Sequence, residues 1–542
     1  MRTNFINIQQ QKKSAILILI VIVLSLGISL RFVNIDKKAY WGDEAFTSLR
    51  ISGYTEYQLV EKLASVDRTT VQDLTKYQSV NPENNFIDTI KSLAIEDPQH
   101  PPIYYIFTWF WVKLFGNSIT AFRTVSAIFS LLALPSVYWL CRELFSSPLT
   151  AWLGVGLIAI SPFHILYAQE ARQYSLWTAT ILLSSASLLA AIRLNTKFSW
   201  GVYAANLALS LYTFPSSVMV SVAHGIYVIT LDNFKFNKRT LAYLLSSLAG
   251  FIAFLPWLLV IISSLKHINR IVGGQGKMPA LSLIKTWAFN LSRIFIDTNH
   301  ERAVINFGFE NSYTLLFQIT LVALLVILSA YSLYYLCRRT EKTTWLFILT
   351  LILVTSLPIM LKDLLDGGVR SIVLRYLTPG YLGIQLSITH LLARKITIRF
   401  NQREFWKMII CVLFSGAIFS GVISSQANFW WTKSDSELNF RAAKFINQSP
   451  RPLVISDGSM GIILALSHQL NPQVQLQLKP YCHTCRVIPP VGERKNILDI
   501  PNGFDSFLFI PSSDLMQEVK KDGKYTIEPV SLELWRIKKI KN

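Results

Sequence analysis

The sequence predicts a polytopic α-helical membrane protein with a small extracytoplasmic α/β domain at its C-terminal end. Of the 542 residues 51% are hydrophobic and only 15% are charged, and about eleven long apolar runs alternate with short basic connections. Soluble domains carry about 25% charged residues, so the composition excludes an ordinary soluble enzyme. The net charge of +20 comes from Lys and Arg between apolar runs, where they act as topology signals. Nucleic acid is therefore not an expected partner.

The first apolar run, Ala15 to Leu30, is long enough to cross a hydrocarbon core of about 30 Å. It follows a polar start that contains Arg2, Lys12 and Lys13, and no small-residue cleavage site follows it. We therefore expect an uncleaved anchor with a cytoplasmic N-terminus.

Ten further apolar runs complete a predicted transmembrane domain over residues 1–425. They are Val125 to Leu140, Leu149 to Ile160, Tyr174 to Ile192, Trp200 to Tyr212, Val218 to Leu231, Leu241 to Ile262, Tyr313 to Leu336, Thr344 to Leu361, Tyr376 to Leu392 and Met408 to Ile423. Several are short and are separated only by turns that contain proline. The number of spans is therefore approximate.

Basic residues mostly fall in alternate connections between these runs, which is the positive-inside pattern. The pattern places three segments outside: Phe32 to Arg123, Ser264 to Asn311 and the tail after Ser424. We expect a multi-pass membrane protein with a first extracytoplasmic loop of about residues 34–123. Within this loop, Pro102 to Phe115 is apolar but short for a span, which favours an interfacial or re-entrant helix.

Residues 426–542 differ in character from the apolar part of the chain. Short β-rich runs alternate with amphipathic pieces, which predicts an extracytoplasmic α/β domain. The β-rich runs are Pro452 to Ser456, Ser506 to Ile510 and Leu532 to Ile537. Cys482 and Cys485 lie in this tail, and because a zinc site would usually need a second such pair, we favour a local disulfide in an oxidising compartment.

Two adjacent carboxylates, Asp43 and Glu44, lie just beyond the first predicted span. One interpretation is that Asp43 caps a helix running from Ala45 to Arg50 beside an aromatic belt. The other is that a partly desolvated carboxylate at the membrane surface serves as a general base for an incoming hydroxyl or amine. Position alone leaves both open.

The end of the same loop carries His100, followed by two prolines that fix an extended entry into a helix. A lone His is most often a satisfied hydrogen-bonding group. The alternative is that a His at an outer helix N-terminus contacts a phosphate, directly or through a metal.

Further ionisable residues lie at outer helix ends, where they are costly unless they are paired or functional. His164, Glu170 and Arg172 share one such turn, where a structural network between Glu170 and Arg172 competes with a functional site. Arg370 and Arg375 stand at another helix end, where they either extend to lipid head groups or hold a lipid phosphate.

The motifs that contain these residues follow a characteristic order. They are Trp-x-Asp-Glu-Ala from Trp41, His-Pro-Pro-x-Tyr-Tyr from His100, Phe-Arg-x-x-Ser-Ala from Phe122, Ser-Pro-x-His-x-x-Tyr-x-Gln-Glu-Ala-Arg-x-Tyr from Ser161 and Arg-Tyr-Leu-x-Pro from Arg375. This order resembles the integral-membrane GT-C glycosyltransferases. More narrowly, it is similar to the family 39 and protein O-mannosyltransferase-like branch, which is related to the lipid A aminoarabinose transferases. The resemblance is strong from Ala15 to about Trp200 and loose beyond it.

The resemblance implies a GT-C fold and a cell-envelope transferase of a bacterial plasma (inner) membrane. The transferase takes a sugar from a polyprenyl-phosphate carrier with inversion of the anomeric centre. Asp43 matches the catalytic base of the family, with Glu44 beside it. Glu170 matches its second acidic position and is followed by Arg172 and Tyr174. The acceptor is a protein, a glycolipid or a polysaccharide.

An inverting transfer needs one base for the acceptor and one electropositive site for the departing lipid phosphate. The candidates for donor-phosphate binding are His100, Arg172, Arg370 and Arg375. His100 stands where some relatives have Lys before the two prolines. A divalent metal held by Asp43, Glu170 or His164 is also possible, although no ligand spacing demands one.

The main alternative function is a transporter or a lipid or glycolipid flippase. Such proteins place ionisable residues and broken helices near the bilayer midplane, often in repeated halves. In this sequence the acidic residues gather instead at the outer ends of the apolar runs. A non-catalytic membrane scaffold would leave the association of carboxylates with several Arg residues unexplained, so we favour the transferase.

Overall fold

The protein folds into a helical bundle joined to one mixed β-sheet, as seen in a computed structural model that describes residues 18–273, 276–298, 312–397, 400–487 and 499–540. The helices of the first half are α1 (Ile18–Phe32), α2 (Gly42–Ile51), α3 (Glu56–Ala64), α4 (Val71–Thr75), α5 (Phe86–Glu96), α6 (Ile103–Phe115), α7 (Ile119–Leu131), α8 (Ala133–Phe145), α9 (Pro148–Ile160), α10 (Pro162–Ala168), α11 (Tyr174–Leu194), α12 (Lys197–Thr213), α13 (Ser217–Leu231) and α14 (Lys238–Ser263).

The second half continues the bundle and contains most of the sheet. Its helices are α15 (Leu265–Gly273), α16 (Ala280–Arg293), α17 (Ser312–Arg339), α18 (Lys342–Asp366), α19 (Thr378–Lys395), α20 (Phe400–Gln426), α21 (Ser434–Asn447), α22 (Met460–Ser467) and α23 (Ser513–Asp522). The strands are β1 (Thr69–Thr70), β2 (Pro452–Ser456), β3 (Gln475–Leu478), β4 (Asp505–Phe509), β5 (Tyr525–Ser531) and β6 (Leu534–Lys539). Short 3₁₀ helices cover Lys76–Gln78, Arg370–Ile372, Leu374–Leu377 and Trp431–Lys433.

Six helices in the described part of the chain are long and apolar enough to cross a membrane. They are the continuous pair α7 and α8, then α11, α14, α17, α18 and the helix that contains α20. The pair α9 and α10 forms a seventh span if its 55° bend is counted as one crossing. The sequence predicted about eleven spans, but the run on α13 folds as a shorter apolar helix, and α6 is likewise short. The predicted first span begins at Ala15, and its residues 15–17 lie outside the described part of the chain, which starts with α1 at Ile18.

The helix α11 lies at the centre of the bundle. The apolar window of α11 is 89% buried, whereas that of α17 is only 17% buried. A span buried by protein on all sides belongs to the interior, and one that is apolar and exposed belongs to the lipid-facing periphery. The N-terminus of α11 is therefore a fixed point of the bundle, and Tyr174 begins it.

Arg31 stabilises the break between α9 and α10. The side chain of Arg31 is fully buried and donates to the carbonyl oxygens of Gly27, Ile158 and Ala159 and to Ser130 Oγ. Carbonyls in the last turn of a helix have no partner within that helix, so a guanidinium beside them supplies the missing donors. This contact holds the bend that leads into α10 and the turn after it.

The sheet joins the first loop to the tail. Its order is β1-β3-β2-β4-β6-β5, with β2 parallel to both β3 and β4 and the other pairs antiparallel. In β1, Thr69 pairs with Leu476 and Thr70 with Gln475. The predicted domain of residues 426–542 thus shares its sheet with a strand of the first loop, which covers part of the otherwise open edge of β3.

The two faces of the sheet pack against different layers. On one face, Leu453 and Leu508 form a small separate core with Leu515 of α23. On the other face, Val454 and Phe507 belong to the main core. This alternation follows from the period of two along a strand. The main core continues from the sheet through α22 and α2 into the bundle, so the tail is packed on the first loop.

The contact between α22 and α2 requires glycine at position 461. A Cβ atom there would lie 2.5 Å from Cε2 of Phe46, which is closer than real Cβ contacts allow. We expect Gly461→Ala to destabilise the protein by about 1–3 kcal/mol through overpacking. The measurement is thermal unfolding of the detergent-solubilised protein.

The matched control is Gly201→Ala in α12, because a Cβ at that position meets no atom within 4 Å. Removing a glycine from a helix interior stabilises it slightly, so this variant should unfold at the same temperature or higher. Equal unfolding temperatures for the two variants would contradict the close packing of α22 on α2.

Candidate functional site

A cavity of about 670 Å³ lies between the first loop, the outer ends of the bundle and the sheet. Its walls contain six of the residues identified in the sequence: Asp43, His100, Arg172, Tyr174, Arg370 and Arg375. These residues come from four separate stretches of the chain, so the fold brings the predicted motifs together. Glu44, Glu170 and His164 do not line this cavity.

Asp43 lies in the first turn of α2 and does not cap it. The helix begins at Gly42 with Trp41 in the capping position, and no side chain caps that end. The Asp43 side chain is 33% exposed, and its Oδ2 lies 3.4 Å from Nη2 of Arg375. The carboxylate is therefore open to the cavity and already paired with a cation there.

Arg375 is held by aromatic rings as well as by Asp43. Its guanidinium carbon lies 5.8 Å from the ring centre of Trp41, 5.3 Å from that of Tyr174 and 5.5 Å from that of Tyr376. Cation–π contacts at this distance fix the cation without neutralising its charge. The side chain is 18% exposed, so part of it reaches the cavity.

Arg172 is held by uncharged acceptors. Its Nη1 donates to the backbone oxygen of Asp43 at 3.2 Å and to Thr47 Oγ1 at 3.0 Å, and its Nη2 lies 3.0 Å from Nε2 of His100. Because these partners carry no charge, they fix the guanidinium and leave its positive charge available to the cavity. The turn Gln169–Gln173 between α10 and α11 positions this side chain.

His100 is a buried neutral imidazole. Burial lowers its pKa well below the ordinary value for histidine, and the neighbouring Arg172 lowers it further. The side chain therefore does not add a positive charge to the cavity at neutral pH.

Glu44 points away from the cavity into a fully buried ion cluster. Arg123 donates to both of its carboxylate oxygens at 2.7 Å, Lys433 Nζ lies 3.1 Å from Oε2, and the Ala171 N–H donates at 2.8 Å. Burial alone would raise the pKa of the Glu44 carboxyl, but Arg123 and Lys433 lower that pKa to about 2. Glu44, which the sequence predicted beside the base, therefore lies outside the cavity and in contact with Arg123, Lys433 and the Ala171 N–H.

Glu170 lies behind the cavity and is also fully buried. Neither of its carboxylate oxygens has a hydrogen-bond partner among the described residues. Burial raises the pKa of this carboxyl to about 7, although Lys433 opposes the shift. The side-chain network between Glu170 and Arg172 considered from the sequence does not form in the described chain; the two residues share a backbone hydrogen bond of 2.7 Å.

His164 braces the bend between α9 and α10. Its Nε2 lies 3.0 Å from Oε1 of Gln385, whose amide nitrogen lies 3.3 Å from Ser161 Oγ. Across the described residues, Asp43, Glu170 and His164 do not bring three ligand atoms within 4.8 Å of one another. This arrangement does not fit the metal site considered from the sequence, and no step below passes through one.

Cys482 and Cys485 are joined in a disulfide, and the loop between them forms part of the cavity wall. The carboxylate of Glu56 accepts from the backbone N–H of His483 at 3.1 Å and of Thr484 at 2.6 Å. Arg50 donates to Thr484 Oγ1 at 2.8 Å. The first loop thus fixes the disulfide loop against the cavity.

The sequence did not indicate several residues that build this site. Arg50 pairs with Glu96 and Asp97 while it lines the cavity, and Lys433 enters from the start of the tail. Arg123 stands within the Phe-Arg-x-x-Ser-Ala motif, which was the available signal for it, and Asp97 lies three residues before His100. Nothing in the sequence around Lys433 distinguishes it from the other lysines of the chain.

We expect Glu44→Gln to destabilise the protein, because the variant leaves Arg123 and Lys433 buried without a counter-charge. Removing one partner of a buried ion pair costs about 3–5 kcal/mol. The measurement is the yield and thermal unfolding of the purified protein. The control is Glu404→Gln, which removes an exposed partner of Lys407. If both variants unfold at the wild-type temperature, the cluster does not support the fold.

Comparison with known proteins places this geometry in a wider context. The model of the dolichyl-phosphate-mannose-protein mannosyltransferase family matches residues 99–260. None of the curated protein sequences matches the chain.

Two crystal structures of ArnT from Cupriavidus metallidurans resemble the fold at 12% sequence identity. The one bound to undecaprenyl phosphate has a TM-score of 0.55 and covers 95% of this chain and 97% of its own. The one in the apo state has a TM-score of 0.56 and covers 96% and 98%. The archaeal oligosaccharyltransferase AglB from Archaeoglobus fulgidus, in complex with an inhibitory peptide and a dolichol-phosphate, has a TM-score of 0.48 and 15% identity over 85% of this chain and 65% of its own. The chain has the fold of ArnT, and the family model that matches residues 99–260 bears out the resemblance to the protein O-mannosyltransferase-like branch found in the sequence.

Proposed function

We propose that the chain is a membrane glycosyltransferase that moves a sugar from a polyprenyl-phosphate-linked donor onto an extracytoplasmic acceptor. The observation that carries the proposal is one cavity in which a partly exposed carboxylate, Asp43, lies with three guanidinium groups, those of Arg172, Arg370 and Arg375. The likeness to ArnT, which was crystallised with undecaprenyl phosphate, supports the choice of carrier.

Asp43 acts as the general base in this proposal. Its carboxylate accepts the proton of the acceptor hydroxyl while that oxygen attacks the anomeric carbon from the face opposite the phosphate. The bond between the anomeric carbon and the phosphate oxygen breaks, and its electron pair leaves with the polyprenyl phosphate. A single displacement of this kind inverts the anomeric centre and needs no second carboxylate in the cavity.

The arginines stabilise the leaving group. A phosphodiester donor carries one negative charge and the departing phosphate monoester carries up to two, so cations near the phosphate bind the transition state more tightly than the donor. Arg172 is fixed in this cavity by neutral hydrogen-bond acceptors, and Arg370 lines the same cavity. Arg375 is shared with Asp43, so a bound phosphate that attracts Arg375 leaves the carboxylate free to take a proton.

The apolar part of the cavity suits the polyprenyl carrier. Ile268 and Ile271 of α15 and Ile359 of the membrane-spanning α18 line it. A chain of isoprene units is excluded from water, and its first units need an apolar surface between the phosphate site and the bilayer. The cavity therefore opens to the extracytoplasmic leaflet in our proposal, with the N-terminus in the cytoplasm and residues 426–542 outside.

The test of this function compares three strains: one without the chain, one with the wild type restored and one with Asp43→Asn at equal membrane abundance. General-base catalysis contributes about 10²–10⁴-fold, so we expect the variant to lose nearly all product. Mass spectrometry of extracted lipids and surface glycans should show a missing glycan and an accumulating polyprenyl-phosphate sugar.

The control is Asp36→Asn on the same loop, because Asp36 is exposed, does not line the cavity and accepts a hydrogen bond from Thr120. This variant should restore the product. If the strain with Asp43→Asn makes wild-type amounts of product, Asp43 is not the general base. If the strain without the chain still makes the finished glycolipid and fails only to deliver it across the membrane, the result favours a flippase.

A further inference from the structure

Both ring nitrogens of His100 face nitrogen atoms of other side chains. Nε2 lies 3.0 Å from Nη2 of Arg172, and Nδ1 lies 2.7 Å from Nε2 of Gln173. A guanidinium has only N–H groups to offer and cannot accept. The Nε2 atom of His100 must therefore hold a lone pair and accept from Arg172.

This contact fixes the tautomer of the imidazole. With a lone pair on Nε2, the single ring proton lies on Nδ1 and needs an acceptor. Gln173 Oε1 is buried and has no partner in the described part of the chain, and a half-turn of the amide exchanges its oxygen and nitrogen. The turned amide accepts from Nδ1–H, which satisfies both groups at once.

A cationic His100 is incompatible with this arrangement. Protonation would add an N–H at Nε2 against the N–H groups of Arg172, with two positive charges about 3 Å apart. The ring also lies between aromatic rings, 6.4 Å from that of Tyr105 and 6.5 Å from that of Phe214. Apolar neighbours of this kind favour the neutral form.

The guanidinium of Arg172 is fixed at both terminal nitrogens by His100 and by Thr47. Its Nε is buried and has no partner among the residues that the structure describes. The neutral acceptors His100 and Thr47 thus prevent rotation of the fork.

We infer that His100 is a positioning residue, which accepts from Arg172 and thereby holds that guanidinium for the donor phosphate instead of binding the phosphate as a cation. The inference rests on the proposed function only for the identity of the ligand that Arg172 meets. It replaces the direct phosphate contact that the sequence suggested for His100.

Three variants distinguish a His100 that positions Arg172 from a His100 that binds the phosphate as a cation. His100→Gln keeps an acceptor oxygen near the position of Nε2, His100→Leu keeps only bulk, and His100→Lys supplies a permanent cation that cannot accept. The probe is undecaprenyl phosphate binding to the purified protein by native mass spectrometry, with thermal unfolding as the control for folding.

If His100 positions Arg172, His100→Gln should bind the probe within a few-fold of wild type, whereas His100→Lys should bind it at least about tenfold more weakly. When Arg172 is already replaced by Gln, adding His100→Lys should weaken binding of the probe much less, because the lysine no longer repels a neighbouring guanidinium. Binding by His100→Lys that equals or exceeds wild type, with weak binding by His100→Gln, would overturn the inference.

A second measurement does not depend on the ligand. The chain has 8 histidines, and ¹⁵N spectra of wild type and His100→Gln identify the signals of His100 by difference. We expect a neutral ring with its proton on Nδ1 from pH 5 to 8. A protonated ring at pH 7 would overturn the inference. If the wild type does not bind undecaprenyl phosphate but the ring has the expected form, the proposed function fails and the positioning of Arg172 stands.

Discussion

The buried ion cluster around Glu44 is the interaction on which the site depends. Its donors come from positions 79, 127 and 389 residues away, in α7, in the turn before α11 and at the start of the tail. A carboxylate buried with two cations is tolerated only when the geometry satisfies every oxygen, and removal of either charge leaves the others uncompensated. Because Asp43 precedes Glu44 and Arg172 follows Ala171, the contacts that anchor Glu44 also set the distance between the Asp43 carboxylate and the Arg172 guanidinium.

A second buried cluster fixes the opposite wall. Arg50, near the end of α2, pairs with Glu96 and Asp97, while Glu56 holds the backbone of the disulfide loop. The single helix α2 thus has one cluster near its N-terminus and another near its C-terminus, and the first loop, the bundle and the tail all attach to it. The cavity is a consequence of this attachment, since none of the three parts encloses it alone.

Composition and local motifs were enough to predict a helical membrane fold and the residues Asp43, Arg172 and Arg375 that meet in the cavity. The sequence could not tell which of two adjacent carboxylates faces that cavity, because neighbouring helical residues differ by about 100° in direction and only tertiary contacts fix the rotation. Lys433 and the pairing of β1 with β3 depend on contacts across hundreds of residues. The number of spans was uncertain for another reason: proline-containing turns divide apolar stretches into helices too short to cross a membrane alone.

The distribution of carboxylates explains why the cavity suits an anion. Arg50 lines the cavity, but Glu96 and Asp97 cancel its charge, so it serves the structure and should bind no phosphate. Arg172 is held by a backbone oxygen, a hydroxyl and an imidazole, and those neutral acceptors leave its charge intact. A cation neutralised by buried carboxylates, as Arg50 is, would have to lose those partners before it could stabilise a leaving phosphate in the proposed reaction, and the separation would cost much of what the phosphate contact contributes. The neutral partners of Arg172, His100 included, avoid that cost.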